Sequence, residues 1–166
     1  MQGEWTTLDG LPISRSKPYG AMVVIHRRSP AGREFLALHR AAQGPDHEGD
    51  WAWTPPSGAR LPDEPVEQCA RRELVEETGL ELSLQRLPMP AEDWAVFVAE
   101  ASAEAQVVLD AEHDRFAWLT TDELLQRCAP AHVTEQIRHA IDHAVSTLGS
   151  RTSRRDGNLG GGMPQG

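Results

Sequence analysis

The apolar positions in the first half of the chain recur with the spacing and residue types of short β-strands. Tyr19–Arg28 (YGAMVVIHRR) and Glu34–Arg40 (EFLALHR) flank the turn-forming sequence SPAGR, and this arrangement predicts a β-hairpin. Further strands are predicted at Trp94–Ser102 and Arg115–Thr120, and shorter ones within WAWTPP and LELSLQRL. Together these segments predict a sheet of several short strands.

Between and after these strands the apolar spacing changes to that of helices. Glu64 to Thr78 is predicted as a helix, because Pro65 suits a first helical position and Gly79 is well placed to end the last turn. Thr121 opens a short helix, and residues 133–148 (VTEQIRHAIDHAVSTL) place apolar residues close to the helical period. The mixture predicts an α/β or α+β domain in which helices cover a mixed β-sheet.

The chain of 166 residues has the length of one domain with its own hydrophobic core. Residues 1–17 are polar, and we expect them to form an irregular N-terminal extension. Residues 18–149 contain the predicted strands and helices and form the domain. Residues 150–166 are basic, rich in glycine and too poor in apolar residues to pack, so they are predicted to be a disordered tail.

The formal net charge of -9 disfavours non-specific binding to nucleic acid or to an anionic membrane. A polyanionic substrate would therefore need a metal ion or a local basic patch. The sequence contains no run of about 18 apolar residues and no signal-like N-terminal segment, so we predict neither a membrane span nor secretion. Cys69 and Cys128 lack the spacing of a zinc site or a disulfide framework, and we expect a cytoplasmic protein.

The predicted helix carries three glutamates close to its end, in the sequence RRELVEETG. At about 100° per residue, Glu73, Glu76 and Glu77 point into one arc of about 100°. Like charges at i and i+4 destabilise a helix by about 0.2–0.5 kcal/mol, and Arg72 can neutralise only one of the three. The cluster is either a solvated acidic face or a site for a hard divalent cation. The absence of interleaved lysines favours Mg²⁺ or Mn²⁺.

The spacing from Gly58 to Leu80 resembles the Nudix box, G-x5-E-x7-R-E-U-x-E-E-x-G-U, at every fixed position. Gly58 is followed after five residues by Glu64, and after seven more by Arg72-Glu73-Leu74-Val75-Glu76-Glu77-Thr78-Gly79-Leu80. The resemblance implies a Nudix fold, an α/β/α sandwich with a mixed sheet. It also implies hydrolysis of a nucleoside diphosphate linked to another moiety, with Mg²⁺ or Mn²⁺ as cofactor.

The resemblance also implies roles for individual residues. Glu73, Glu76 and Glu77 would bind the metal, and Glu73 is either a ligand or the group that deprotonates water. Catalytic roles thus fall to Glu73, Glu76 and Arg72, with Arg72 orienting the cluster. Glu64 would fix Arg72, Ser57 would offer a backbone carbonyl to the metal, and Gly58 and Gly79 would support the site. The chain departs from the family at Pro55-Pro56-Ser57-Gly58, where two glycines usually follow one proline.

Residues outside the box are weaker candidates. EHDRFAWLT, residues 112–120, resembles a stretch of several Nudix pyrophosphatases in which the glutamate reaches the metal, so Glu112 is either a ligand or part of an ordinary acidic loop. Trp51 and Trp53 alternate on a predicted strand and could stack on a base, although core packing of at least one is the simpler interpretation. Arg40 and Arg60 are candidates for contacts with phosphate or are plain surface arginines.

These observations predict a metal-dependent hydrolase that cleaves a phosphoanhydride in a small nucleotide substrate. Nucleoside triphosphates, dinucleoside polyphosphates and nucleotide sugars are all compatible with the box, and the Glu112 stretch favours the first two. The alternative is a Nudix-fold module that senses a nucleotide without cleaving it. The oligomeric state is left open between a monomer and a homodimer.

Overall fold

The computed structural model describes residues 6, 7 and 10–152. Strands and helices are mixed along these residues, as the sequence predicts. The strands are β1 (Gly20–Ser29), β2 (Gly32–Arg40), β3 (Trp53–Thr54), β4 (Ser57–Ala59), β5 (Gln85–Arg86), β6 (Trp94–Glu100) and β7 (His113–Leu119), and the helices are α1 (Val66–Thr78), α2 (Thr121–Arg127) and α3 (Ala131–Thr152).

The strands form one mixed sheet with the order β3-β2-β1-β6-β5. β1 and β2 form the predicted antiparallel hairpin, whereas β1 and β6 run parallel. Two further strands extend the sheet locally: β4 pairs with the first residues of β1, and β7 pairs with β2. The pairing of β4 with β1 matters for the site, because it fixes the segment that enters α1.

Helices cover both faces of the sheet. In β1, Val23 and Ile25 point towards α1, where they pack with Leu74. The alternate residues Met22 and Val24 belong to the opposite core, which includes the following residues of α2 and α3: Leu124, Val133, Ile137, Ala140 and Ile141. Period-two alternation in β1 thus supplies both cores. The predicted α/β/α sandwich with a mixed sheet is confirmed.

The boundaries of several elements differ from the predictions. α1 begins at Val66, so Pro65 is the residue before the helix and not its first residue. In LELSLQRL only Gln85 and Arg86 pair as a strand, against Val98 and Phe97 of β6. Leu80, Leu82 and Leu84 instead belong to or pack against the α1-side core, and Leu87 belongs to the opposite core, which explains the apolar composition without a longer strand.

The two termini were predicted to be irregular. Near the N-terminus, the Ser14 amide donates to the Arg60 carbonyl oxygen (2.7 Å), and the Tyr19 amide donates to the Asp93 carbonyl oxygen (2.8 Å), so this segment is attached to the domain. α3 continues to Thr152, three residues into the segment predicted as a tail. Residues 153–166, on which the rest of that prediction falls, lie outside the described residues. In the described part of the chain, no helix is both long and apolar enough to cross a membrane.

Candidate active site

The turn that leads from β4 towards α1 lies directly against the first acidic residue of the helix. A Cβ atom on Gly58 would lie 2.1 Å from the carboxyl carbon of Glu73. Side-chain carbons essentially never approach this closely, so the glutamate can occupy this position only because residue 58 is glycine. At the other end of α1, Gly79 adopts φ 71° and donates its amide hydrogen to the Val75 carbonyl, which ends the helix as predicted.

Arg72 connects the separate parts of this site. Its Nε and Nη2 donate to the two carboxylate oxygens of Glu64 (2.8 and 2.9 Å), and Nη2 also donates to the Ala59 carbonyl (3.0 Å). The remaining nitrogen, Nη1, donates to Glu73 Oε1 at 2.9 Å and lies 3.4 Å from Glu76 Oε2. Arg72 therefore joins the turn, the glutamate before the helix and two of the three acids on the helix.

Glu64 is buried and satisfied. Its Oε1 also accepts a hydrogen bond from the Leu61 amide (3.2 Å). The hydrogen bonds from Arg72 lower the pKa of the Glu64 carboxyl despite its burial, so this group is a stable carboxylate. The predicted function of Glu64, to fix Arg72, agrees with this geometry.

Glu73 and Glu77 differ from Glu64, because their pKa values are raised and not lowered. Burial raises the pKa of Glu73 to about 7, with Arg72 opposing the shift and Glu76 adding to it. Burial also raises the pKa of Glu77 to about 9; repulsion from Glu73 adds to the shift, and the Ser57 amide, which donates to Glu77 Oε2 at 3.0 Å, opposes it. The last turn of α1 contains no basic residue. These two acids either hold protons or need a cation.

The acids do not converge on a single point. Glu73 turns towards Arg72, Glu76 is exposed, and Glu77 turns towards Ser57. Accordingly, among the described residues no three His, Cys, Asp or Glu side chains form a group that could hold a metal ion as arranged. Glu76 is exposed, and its Oε2 lies 3.4 Å from Arg72 Nη1. Hard carboxylate oxygens on one helical arc, with Glu77 buried and Glu73 half-buried, fit Mg²⁺ or Mn²⁺ in their chemistry.

The loop before β7 brings further acids towards this cluster. Glu112 is exposed, and its charge contributes to the raised pKa values of Glu73 and Glu77. Asp110 makes a similar contribution at Glu77 and also lies 2.8 Å from His113 Nδ1. The loop is attached to the end of α1, because the Val108 amide donates to the Thr78 carbonyl (2.8 Å). Sequence analysis missed Asp110, although it lies only two residues before Glu112.

The two tryptophans occupy different environments. Trp53 is 3% exposed and donates from Nε1 to Glu48 Oε2 (2.7 Å), so it belongs to the core and is not open to a base. Trp51 is 39% exposed and lies in the turn before β3, with φ 66°, and not on a strand as predicted. Its ring packs edge-on against His132 (5.3 Å between centroids), and the Arg40 guanidinium lies 5.8 Å from its centroid.

Arg60 does not lie at the surface. It is 7% exposed, and its guanidinium donates to the carbonyls of Pro18 and Glu64 at 2.8 Å each, and to Ser16. This placement contradicts the predicted contact with substrate phosphate. The physical reason is that a nearby N-terminal segment, which the sequence does not place there, supplies carbonyl oxygens that hold the guanidinium inside.

A family model for the NUDIX domain matches residues 17–142. The chain belongs to the Nudix family. A curated relative, an octanoyltransferase from Myxococcus xanthus, is 29% identical over 132 residues, which are 72% of this chain and 35% of the relative. The chain therefore spans about a third of the length of that relative.

Solved structures share the Nudix fold. An Ap4A hydrolase from C. elegans is 24% identical with a TM-score of 0.62, and the match covers 76% of this chain and 97% of that one. The MutT protein of Methanosarcina mazei Go1 is 25% identical with a TM-score of 0.53, covering 79% and 99%. The predicted membership of the Nudix family is confirmed. The roles of the individual box residues remain predictions.

Proposed function

We propose that this Nudix protein hydrolyses a phosphoanhydride bond in a nucleoside diphosphate derivative, with a divalent cation bound by Glu73, Glu76 and Glu77. The observation that carries the proposal is the difference in state within one acidic cluster. Glu64 accepts hydrogen bonds from Arg72 on both carboxylate oxygens and has a lowered pKa, whereas half-buried Glu73 and buried Glu77 have raised pKa values. Such carboxylates are costly to keep charged unless a cation is bound beside them.

Each residue of the site has a distinct part in this chemistry. When bound, Mg²⁺ or Mn²⁺ would neutralise phosphoryl oxygens and lower the pKa of water. If Glu73 is the base and not a ligand, Arg72 holds its Oε1 and leaves Oε2 to take a proton from the attacking water. Glu112 and the Ser57 carbonyl are candidates for additional oxygen ligands.

The substrate would carry its base near Trp51. Of the two predicted aromatic residues, Trp51 is the one whose ring is exposed, and stacking of a base on an aromatic ring is worth about 1–3 kcal/mol. Arg40, whose guanidinium lies 5.8 Å from the centroid of that ring, would contact a negatively charged part of the substrate. Nucleoside triphosphates and dinucleoside polyphosphates are the proposed class. An Ap4A hydrolase is among the proteins with this fold.

The experiment is product analysis over a panel of nucleotides with Mg²⁺ or Mn²⁺. Wild-type protein is expected to release inorganic phosphate or pyrophosphate, and Glu76→Gln is expected to lose most turnover while keeping the fold, because Glu76 is exposed and its change removes only charge. Glu135→Gln, at an exposed glutamate of α3, is the matched control. Turnover of Glu76→Gln close to that of wild type would contradict the assignment.

The second candidate is a nucleotide sensor, and the failure of the acids to converge favours it. The Pro-Pro-Ser-Gly turn also departs from the family pattern at the predicted carbonyl ligand. Single-turnover assays separate the two functions, since a sensor would retain intact nucleotide after binding it.

We propose a cytoplasmic location, in line with two buried free thiols, Cys69 and Cys128. The choice between monomer and homodimer remains a prediction.

A further inference from the structure

The buried guanidinium of Arg60 is surrounded by neutral oxygens. Nε donates to the Pro18 carbonyl and Nη1 to the Glu64 carbonyl, each at 2.8 Å. Nη2 donates to the carbonyl oxygen of Ser16 at 2.8 Å and lies 3.0 Å from its hydroxyl. The backbone of Arg60 is held too, since its amide donates to the Tyr19 carbonyl and its carbonyl accepts from the Ser14 amide. Arg60 therefore binds a segment more than forty residues away in sequence.

The same guanidinium also holds the backbone of Glu64. Glu64 presents both carboxylate oxygens to Arg72, and Arg72 in turn contacts Glu73. A continuous series of hydrogen bonds, each 2.8–2.9 Å, thus runs from Ser16 through Arg60, Glu64 and Arg72 to Glu73. The turn between Arg60 and Glu64 contains Asp63 at φ 62°, a conformation that needs support from its surroundings.

We propose that Arg60 is a positioning residue for the active site, which clamps the N-terminal segment 14–18 to the turn that presents Glu64 to Arg72. The inference rests on the proposed function and deepens it. In the described part of the chain the Arg60 guanidinium hydrogen-bonds to Ser16, Pro18 and Glu64 and to none of the three acids of α1, so we infer that it acts through Glu64. The N-terminal segment becomes part of the catalytic framework.

A purely structural role is the competing explanation, and simple stability does not distinguish the two. Burial of a guanidinium carries a desolvation cost, which hydrogen bonds to carbonyl groups offset only when the geometry is well satisfied. A positioning role also predicts that the orientation of Arg72 changes when Arg60 is replaced. Outer-shell partners of metal sites typically contribute about 10–100-fold to metal affinity or activity.

The test replaces Arg60 by Met, which keeps the aliphatic stem and removes the donors. Arg60→Met should weaken Mn²⁺ binding, followed by electron paramagnetic resonance, about tenfold and lower kcat about tenfold, with KM within about twofold. Exchange of the Arg72 Nε–H, followed by NMR, should quicken. Arg27→Met is the control, since Arg27 is a half-buried arginine paired with Glu34 (2.9 Å) on the β-hairpin, away from the site. It should lose stability and leave these three readouts unchanged.

Arg60→Lys should recover part of the Mn²⁺ affinity, and it carries the test if Arg60→Met does not fold. In the Glu64→Gln background, Arg60→Met should lower Mn²⁺ affinity and kcat much less than it does in wild type, because both substitutions act through the contact of Glu64 with Arg72. Additive effects, or unchanged exchange at Arg72 in folded Arg60→Met or Arg60→Lys, would overturn the proposal. Mn²⁺ binding and exchange do not require turnover, so an inactive wild type would refute the proposed function and leave the Arg60 test readable.

Discussion

Glu64 and Glu77 lie at opposite ends of one acidic network and are almost equally buried, at 8% and 4% exposed. Glu64 accepts two hydrogen bonds from a guanidinium, and its pKa is lowered. Glu77 accepts one from a backbone amide, and its pKa rises to about 9. Burial raises the pKa of both carboxyls, but at Glu64 the hydrogen bonds from Arg72 outweigh it. The two carboxyls thus differ in whether the protein itself supplies a positive charge beside them.

Removal of Arg72 should have the largest effect, because it takes away the positive charge beside Glu64. Arg72→Met should destabilise the protein by about 3–5 kcal/mol, the typical cost of leaving one buried partner of an ion pair uncompensated, and should abolish turnover. Urea unfolding and nucleotide hydrolysis measure the two effects. Because the cost arises from the charge on Glu64, the double variant Arg72→Met/Glu64→Gln should be more stable than Arg72→Met. An equally unstable double variant would contradict the assignment.

Neutralising Glu77 tests the other end of the network. Under the proposed function, Glu77→Gln removes a metal ligand. Loss of an outer-shell partner typically lowers activity by about 10–100-fold, so turnover of Glu77→Gln should fall by at least that much. Without metal its stability near neutral pH should equal or exceed that of wild type, since Gln is neutral, whereas Glu77, whose pKa is about 9, must take up a proton to stay buried without charge. Thermal unfolding with and without Mg²⁺ checks this. A large destabilisation of the metal-free variant would show that Glu77 is instead a paired structural carboxylate.

Gly58→Ala should disturb the site through Glu73 alone. The added methyl group would overlap the Glu73 carboxyl, which lies at the end of a flexible side chain, so the stability cost should be modest, about 1 kcal/mol. Displacement of that carboxyl should lower kcat about tenfold or more. In the Glu73→Asp background, where the carboxyl is retracted, Gly58→Ala should have a smaller effect on kcat. Equal effects in both backgrounds would exclude the steric explanation.

The two ends of the network also differ in how their contribution to stability depends on pH. The pKa of Glu77 in the fold, about 9, exceeds its unfolded value of 4.5, so its contribution is complete below pH 4.5 and is lost as the pH rises towards 9. Glu64 has the opposite sign: its contribution is present above pH 4.5 and is lost in acid. In EDTA, wild type should lose stability relative to Glu77→Gln between pH 5 and pH 9. Parallel curves would contradict the shift.

Local periodicity and spacing were enough to predict the hairpin, α1 and the position of the acidic cluster. Hydrophobic alternation specified the faces of β1, and the i, i+4 relation of Glu73 and Glu77 put both on one side of the helix. The Nudix spacing then assigned the pairing of Glu64 with Arg72, and the structure contains it. These features depend on contacts within short stretches of chain.

The features that sequence analysis did not predict depend on distant contacts. Arg60 is buried because residues 16 and 18 offer carbonyls to it, and nothing in the sequence around Arg60 indicates that they lie beside it. The Trp51 amide donates to the Ala129 carbonyl (2.8 Å), which helps hold this residue in a turn that strand periodicity does not indicate. Asp110 joins the cluster because its loop is bonded to the end of α1.

The direction of α1 affects which charged molecules approach the site favourably. The three glutamates lie in its second half, next to its carbonyl end and away from the amide end that commonly attracts phosphate. That end contributes a partial negative charge of about -0.5 to the field of the carboxylates. A bare polyphosphate would be repelled there, whereas the same anion already complexed with Mg²⁺ would not. Under the proposed function, the direction of the helix thus favours binding of the nucleotide after it has taken up Mg²⁺.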